Sequence, residues 1–183
     1  MKRLYGAAEH LREEAVAHEI PDGASVLELC CGPGRLGLLL KEKNCDYTGF
    51  DCNASFVAHA QKAGLNVHQS VLPPLPDVPD VDYVVVVASF YHFKAEAAAF
   101  VDSLWNKARK ALIILEPINN RSSHANKFIS KLSRLMSHPG VGELPVRFSE
   151  PEMDSLLSQY QTNTNSFSKL MSDDRDKLYV LYK

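Results

Sequence analysis

A glycine-rich loop near the N-terminus has residue types and spacing suited to binding a ligand. Residues 32–37 have the sequence GPGRLG and match the pattern G-x-G-x-x-G between a predicted strand and a predicted helix. Glycines at these positions let the backbone approach a ligand closely, and the start of the helix presents unpaired N–H groups. Because the pattern fits several nucleotide-derived cofactors, the residues around it must distinguish among them.

Two acidic side chains lie close to this loop in the sequence. Glu28 comes four residues before Gly32, and Asp51 follows the second predicted strand. A carboxylate beside the loop repels a pyrophosphate and attracts a cationic ligand. S-adenosylmethionine carries an ammonium and a sulfonium, so the sign of the charge favours it over NAD. Asp51 can accept hydrogen bonds from both ribose hydroxyl groups and is compatible with either cofactor.

Two further segments are predicted to reach the same edge of the sheet, where ligands lie beyond the carboxyl ends of the strands. Residues 89–93 (SFYHF) follow the fourth predicted strand, and residues 116–119 follow the fifth. His92 titrates near neutral pH and is the candidate general base, or else it hydrogen-bonds to its own loop or packs on the neighbouring phenylalanines. Tyr91 either orients a substrate or packs in the core. Glu116 either binds an ammonium group of the substrate or caps the following segment.

Strands and helices alternate along the first two thirds of the chain. Apolar runs predict strands over residues 24–31, 46–50, 65–69, 81–88 and 111–115, and helical patterns cover residues 7–18, 35–43, 55–62 and 94–109. Prolines between residues 73 and 79 exclude regular structure there. This alternation predicts an α/β sheet with right-handed parallel crossovers.

The last third of the chain has a different pattern. An amphipathic helix is predicted around residues 125–136, and Ser149 is predicted to cap another helix, with Pro151 in its first turn and Glu152 at the capping-box position. Residues 162–170 and 177–182 are predicted to form an antiparallel hairpin. No internal repeat or low-complexity tract divides the sequence, so residues 1–183 are predicted to form a single domain.

The segment ELCCGPG at residues 28–34, Asp51, the valine-rich fourth strand and the order of the elements resemble the class I S-adenosylmethionine-dependent methyltransferases. The resemblance covers nearly the whole chain. It implies a Rossmann-like three-layer sandwich, with a mostly parallel seven-stranded sheet and a C-terminal antiparallel hairpin. It also implies a helical insertion at about residues 119–150.

The same resemblance implies a set of cofactor-binding residues. Glu28 and the backbone at Gly32 and Gly34 would hold the methionine end of S-adenosylmethionine, and Asp51 would bind the ribose. Ser70 and Val71 would flank the adenine. The remaining positions implied to line the cofactor are Cys30, Cys52 and Ser89. Many family members have an acidic residue where Ser70 stands, which predicts a modest affinity for the cofactor.

Several classes of function are disfavoured. The net charge is −2, whereas nucleic-acid-binding proteins usually carry a basic surplus. The Asn/Asp-Pro-Pro-Tyr/Phe run of similar amino-methylating nucleic-acid enzymes is absent, and no cysteine follows the fourth or fifth predicted strand. The four cysteines show no zinc-ligand spacing, so no metal site is predicted. A small-molecule acceptor is the simplest prediction.

One basic segment stands out in this slightly acidic chain. Residues 121–147 contain five lysines and arginines against a single acidic residue: Arg121, Lys127, Lys131, Arg134 and Arg147, with Glu143. Such a pattern is typical of a solvated helix face. In the family that the chain resembles, the corresponding insertion often covers the acceptor pocket. A basic cover would suit a carboxylate or phosphate on the acceptor, or an anionic membrane surface.

These observations predict a methyltransferase that acts on a small molecule, with an anionic one favoured by the basic segment. The first alternative is a protein that binds S-adenosylmethionine without methylating and acts through a partner. The second is an NAD-dependent reductase, which Glu28 and the short chain disfavour. The sequence contains no signal-peptide pattern and no apolar run of membrane-spanning length, which predicts a cytoplasmic protein. It does not indicate the oligomeric state.

Overall fold

The computed structural model describes residues 6–118, 147–171 and 175–183, with side chains from residue 11 onward. These residues include seven strands: β1 (Ser25–Leu29), β2 (Asp46–Asp51), β3 (Val67–Gln69), β4 (Val81–Val87), β5 (Ala108–Pro117), β6 (Phe167–Leu170) and β7 (Asp176–Tyr182). They also include the helices α1 (Gly6–Glu19), α2 (Arg35–Glu42), α3 (Ala54–Lys62), α4 (Ala97–Lys107) and α5 (Glu150–Leu157). Two 3-10 turns cover Phe90–Glu96 and Ser158–Tyr160.

The strands form one sheet in the order β3-β2-β1-β4-β5-β7-β6. Strands β1 to β5 are parallel to one another, and β7 is antiparallel to both β5 and β6. The chain builds outward from β1 to β3 and then returns to place β4 on the other side of β1. The order therefore reverses between β1 and β4, where open α/β sheets bind ligands. The predicted fold class and the C-terminal hairpin are confirmed.

The sheet separates two apolar cores, because successive side chains of a strand point to opposite faces. The first core contains Leu27 and Leu29 of β1 and is covered by α4, α5 and the first 3-10 turn. The second contains Val26 and is covered by α1, α2 and α3. Residues 84–86 of β4 are fully buried between these layers, as the valine run predicts. The result is the predicted three-layer arrangement.

Some predicted boundaries were wrong, each for a local reason. The helix predicted over residues 94–109 begins earlier, as a 3-10 turn at Phe90, and ends at Lys107, since β5 starts at Ala108. Phe90 and Phe93 are both buried, and their spacing suits the three-residue period of a 3-10 turn. Strand β6 begins only at Phe167, because the amide oxygen of Asn163 accepts from Asn165 N and forms a turn first.

Ile118 and Phe148, which lie on either side of the range 119–146, pack in the same core. Ile118, just past β5, donates its N–H to the Arg175 carbonyl at 2.9 Å. Phe148, just before α5, lies in the same core as Ile118 and stacks on Phe90 with ring centroids 5.4 Å apart.

The predicted capping box at the start of α5 is confirmed, because the Glu152 carboxylate accepts from Ser149 N at 2.7 Å.

Most of the predicted insertion falls outside the described residues. The helix predicted around residues 125–136 lies there, as do Arg121, Lys127, Lys131 and Arg134. Of the five basic residues in the predicted basic segment, the described range includes Arg147. Among the described residues, no helix has both the length and the apolar character needed to span a bilayer.

Candidate functional site

The glycine loop connects the carboxyl end of β1 to the start of α2, and its glycines are needed for two different reasons. Gly34 has φ +82°, and a Cβ there would come within 2.6 Å of the Leu65 side chain. Gly32 has φ +54°, and a Cβ there would meet nothing within 4 Å. Gly34 is therefore required by close packing and Gly32 by its backbone conformation. The open space beside Gly32 leaves the backbone accessible to a ligand.

Asp51 fixes the conformation of this loop. One oxygen of its carboxylate accepts from Gly32 N at 2.8 Å, and the other accepts from Asn53 N, also at 2.8 Å. Asn53 in turn caps α3 by accepting from Ser55 N and Phe56 N. Each carboxylate oxygen can accept a second hydrogen bond, so the geometry leaves acceptor capacity for ribose hydroxyl groups. The sequence analysis predicted the ribose role but missed this link to the loop.

Glu28 is buried at the base of the loop, with 3% of its surface exposed. The Tyr47 hydroxyl donates to its carboxylate at 2.6 Å. Burial raises the pKa of Glu28 to about 8, opposed by the Tyr47 hydrogen bond and reinforced by Glu13 and Asp51. At neutral pH the carboxyl group is therefore mostly protonated in the absence of a cation. An ammonium group placed beside it would favour the ionised form.

Two non-glycine residues with left-handed backbone follow β1 and β4, the strands between which the strand order reverses (the switch point). Cys30 after β1 has φ +56°, and Ala88 after β4 has φ +51°. Such conformations are uncommon outside glycine and cluster at functional sites. Burial is the main cause that raises the pKa of the Cys30 thiol, so it is not a thiolate nucleophile. Cys52, also predicted to line the cofactor, is exposed.

The predicted adenine-binding residues follow β3 and lie beside Asp51. Ser70 donates its N–H to the Asp51 carbonyl at 3.0 Å, which holds the end of β3 against the end of β2. Val71 is 75% exposed, although it is apolar. An exposed valine next to the ribose-binding candidate is available to contact the flat face of a base.

Glu116 follows the same pattern of burial on the other side of the switch point. Its side chain is fully buried, and one carboxylate oxygen accepts from Phe90 N at 2.9 Å. The other oxygen has no hydrogen-bond partner among the described residues. Burial raises the pKa of Glu116 to about 8, opposed by the Phe90 N–H and by Arg147. Glu116 thus holds the start of the first 3-10 turn, which precedes it in the chain, and this contact is neither of the two predicted roles.

The 3-10 turn carries the remaining predicted acceptor residues. His92 is exposed, its N–H donates to the Ser89 carbonyl at 3.2 Å, and its ring lies 4.1 Å from the Tyr91 ring. Tyr91 is half-buried, and burial raises the pKa of its hydroxyl. The guanidinium of Arg147 lies over the Tyr91 ring, 4.9 Å from its centroid. The sequence had not linked Arg147 to Tyr91, because the residues are far apart along the chain.

The predicted residues thus form two groups at one edge of the sheet. Glu28, Gly32 and Asp51 surround the ends of β1 and β2, while Tyr91 and Glu116 lie at the ends of β4 and β5. Sequence reasoning missed Tyr47. A tyrosine on the neighbouring strand is an ordinary core residue, so only its position opposite Glu28 reveals the contact.

Comparison with known proteins agrees with this geometry. Residues 26–110 match the family model described as a methyltransferase domain. No curated protein matches the chain. Three similar structures are magnesium protoporphyrin IX methyltransferase from Synechocystis PCC 6803 with bound SAH, a SAM-dependent methyltransferase from Aquifex aeolicus, and a putative methyltransferase from Haloferax volcanii in complex with the Trm112 methyltransferase activator.

These likenesses are close in fold and distant in sequence. The Synechocystis structure has a TM-score of 0.68 at 16% identity, covering 96% of this chain and 83% of that one. The Aquifex structure has a TM-score of 0.63 at 19% identity, covering 96% and 93%. The Haloferax structure has a TM-score of 0.67 at 15% identity, covering 93% and 88%.

The matched region runs from β1 into β5 and so includes the glycine loop, Glu28 and Asp51. S-adenosylmethionine is the methyl donor that this family uses. Both the family match and the fold were anticipated by the resemblance seen in the sequence. Residues 26–110 match a methyltransferase domain, and the chain has the Rossmann-like fold of the class I S-adenosylmethionine-dependent methyltransferases.

Proposed function

We propose that this protein transfers a methyl group from S-adenosylmethionine to a small molecule. The observation that carries the proposal is the arrangement of Glu28, Asp51 and the glycine loop at the point where the strand order reverses. Two buried carboxyl groups beside an open backbone loop suit a ligand that is both cationic and derived from a nucleoside.

The charges argue against a dinucleotide in the same place. A pyrophosphate beside Glu28 and Asp51 would meet acidic groups on both sides of the loop. The ammonium of S-adenosylmethionine instead provides the counter-charge that a buried Glu28 needs in order to ionise. This supports the methyl donor over NAD, so a reductase is the weaker proposal.

Each part of the cofactor has a proposed partner. The methionine end lies at Glu28 and at the backbone of Gly32 and Gly34, and the ribose binds Asp51. The adenine lies between Ser70 and Val71, whose exposed side chain suits a stacking surface. Cys30, Cys52 and Ser89 complete the lining.

Methyl transfer requires the acceptor nucleophile, the methyl carbon and the sulfur to be nearly collinear, so alignment supplies much of the rate acceleration. We place the acceptor at the ends of β4 and β5, beside Tyr91 and Glu116. His92 is the proposed general base for an acceptor that retains its proton at neutral pH. The guanidinium of Arg147 over the Tyr91 ring supports an acceptor that carries a carboxylate or phosphate.

A turnover assay tests this proposal directly. The protein is incubated with S-adenosylmethionine and a panel of small molecules that includes carboxylates, phosphates, phenols and amines, and formation of S-adenosylhomocysteine is measured. The Asp51→Ala variant serves as the control for the cofactor site. Turnover that requires both an acceptor and Asp51 supports the proposal, whereas failure to bind the cofactor at all contradicts it.

A second candidate function is that of a cofactor-binding protein that acts through a partner. One similar structure is a complex between a putative methyltransferase and a methyltransferase activator, which makes dependence on a partner chain a specific alternative. Tight binding of S-adenosylmethionine together with no turnover of any acceptor in the panel would favour this candidate. Turnover by the isolated chain would exclude it.

A further inference from the structure

We propose that Glu116 is the counter-charge for the sulfonium of S-adenosylmethionine, so that the site distinguishes the methyl donor from the neutral thioether left after transfer. The inference rests on the proposed function, because it assumes that the donor binds at the switch point. The inference adds Glu116, on β5, to the proposed cofactor site. Glu116 would act through the electric field at the reacting sulfur and would lie on the opposite side of the site from Glu28.

The register of the sheet places Glu116 at the level of the glycine loop. Leu29 of β1 pairs with Val86 of β4, and Val86 pairs with Ile114 of β5. Two residues further along β5, Glu116 is therefore level with the start of the loop, two strands or roughly 10 Å away. Glu116 lies on the same face of the sheet as Ile114, which belongs to the first core.

Glu28 and Glu116 approach this region from opposite faces. Leu27 and Leu29 point into the first core, so Glu28 between them points into the second, where Tyr47 lies. The thiol of Cys30 lies close enough to both carboxyl groups for each to raise its pKa. A cofactor seated over Cys30 thus has one buried carboxyl group on either side. Glu28 faces the loop that receives the methionine end, which leaves Glu116 for the sulfonium.

Glu116 is held in place but lacks a full counter-charge. The Phe90 N–H fixes one of its oxygens, while the other has no hydrogen-bond partner among the described residues. An uncompensated charge in an apolar interior is unfavourable, so a buried carboxyl group of this kind remains protonated until a cation comes near. The sulfonium supplies such a charge only while the methyl group is attached.

The titratable groups around Glu116 come from several elements: Arg12 on α1, Cys30 after β1, Tyr91 in the 3-10 turn, Lys177 on β7 and Arg147 before α5. Arg12 forms a bidentate ion pair with Asp176, at 2.6 and 2.7 Å. Lys177 lies opposite Glu116 in the ladder, and its amine binds Glu150 and Asp154. With these cations present, burial still raises the pKa of Glu116 to about 8.

The test compares two ligands that differ by one methyl group and one charge. Dissociation constants for S-adenosylmethionine and S-adenosylhomocysteine are measured by calorimetry between about pH 6 and about pH 8.5, in the wild type and in Glu116→Gln. In the wild type, preference for S-adenosylmethionine should increase by roughly tenfold over this range relative to the variant, which corresponds to about one unit of pKa shift. The glutamine variant keeps an oxygen that can accept from Phe90 N. Because the ligands' own amines titrate in the same way with both proteins, they do not contribute to the difference between wild type and variant.

The matched control is Glu28→Gln. Both ligands carry the ammonium that Glu28 is proposed to bind, so this variant should weaken both to a similar extent and leave the pH dependence of their ratio unchanged. A ratio with the same pH dependence in the wild type and Glu116→Gln would overturn the counter-charge role. Absence of binding of either ligand to the wild type would instead overturn the proposed function.

A second measurement needs no variant. At about pH 6.5, calorimetry in two buffers with different ionisation enthalpies gives the number of protons released on binding. S-adenosylmethionine should release a larger fraction of a proton than S-adenosylhomocysteine, because only the sulfonium drives Glu116 to ionise. Equal proton release by the two ligands would contradict the inference even if Glu116→Gln fails to fold.

Discussion

The Tyr47 hydroxyl donates a hydrogen bond of 2.6 Å to the buried carboxyl group of Glu28, across the pair of strands that leads into the glycine loop. In the β1–β2 register, Glu28 lies opposite Gly49, and a Cβ on Gly49 would come within 2.6 Å of this same hydroxyl. The glycine therefore makes room for the phenol. Tyr47 in turn stabilises the ionised form of Glu28, which is the form that attracts a cation.

Removing this hydrogen-bond donor should weaken the binding of S-adenosylmethionine. In Tyr47→Phe the pKa of Glu28 rises further, so a smaller fraction is ionised at neutral pH, and affinity for S-adenosylmethionine should fall roughly tenfold. Calorimetric titration measures the change. Tyr83→Phe is the matched control, because Tyr83 is buried in the same core at the far end of β4 and should leave the affinity unchanged. Equal losses in both variants would indicate a general packing effect.

Stability without ligand should depend on pH in a specific direction. Glu28 and Glu116 have pKa values of about 8 in the folded protein, against 4.5 as the reference value for an unperturbed glutamate. Between these values the folded state binds more protons than the unfolded state, so the free energy of unfolding should fall as the pH rises from about 5 to about 8. Urea titrations across this range give the slope.

The two carboxyl groups can be separated by substitution. Glu28→Gln and Glu116→Gln should each reduce the slope, and saturating S-adenosylmethionine should reduce it in the wild type. A slope that is the same in both variants and in the wild type would show that other groups set the pH dependence.

Asp51 is expected to matter for both affinity and loop geometry. Asp51→Ala should weaken S-adenosylmethionine by about 1.5–3 kcal/mol, or roughly 10- to 150-fold, through loss of the ribose contact and of the acceptor for Gly32 N. Asp51→Asn keeps one acceptor oxygen and should lose less. The exposed Asp46→Asn, at the other end of β2, is the control. A wild-type dissociation constant in Asp51→Ala would remove Asp51 from the site.

His92 is predicted to act on turnover and not on cofactor binding. If it is the general base, His92→Phe should lower turnover by about 10²- to 10⁴-fold with nearly unchanged affinity for S-adenosylmethionine. The pH profile of turnover should also lose its limb near neutral pH. Full activity of the variant on an identified acceptor would assign His92 to contacts with Tyr91 and its own loop.

The basic segment gives a prediction that depends on ionic strength. Arg147→Gln, and separately the triple change of Lys127, Lys131 and Arg134 to Gln, should raise KM for an anionic acceptor and flatten its salt dependence. At 0.1 M salt the Debye length is about 10 Å, so exposed charges are screened while close contacts persist. Cofactor affinity should not change in the triple variant, since none of its three substituted residues is a proposed cofactor contact. Unchanged KM at low and high salt would leave no support for an anionic acceptor.

Much of the fold was accessible from sequence because it depends on local patterns. Alternating apolar runs identified the strands, and the spacing of Ser149, Pro151 and Glu152 identified the start of α5. The glycine loop and Asp51 were found because close approach to a ligand and strand-end position have sequence signatures.

What could not be predicted depends on pairs of residues that meet only in the folded sheet. The Tyr47–Glu28 contact needs the register between β1 and β2, and the Glu116–Phe90 contact needs the one between β4 and β5. The pKa of Glu28 also depends on how completely the helices cover it, and no single residue determines that. Sequence therefore identified the acidic residues but not their state of protonation.

The anchoring of Ile118 and Phe148 in one core also bears on how the chain tolerates variation. Both residues lie in the layer formed by α4, α5 and the first 3-10 turn, so the residues between them start and finish on one rigid support. Doubling the length of such a connection adds only about 0.6 kcal/mol of closure entropy. A change in the number of residues between these two anchors should therefore cost the fold little stability.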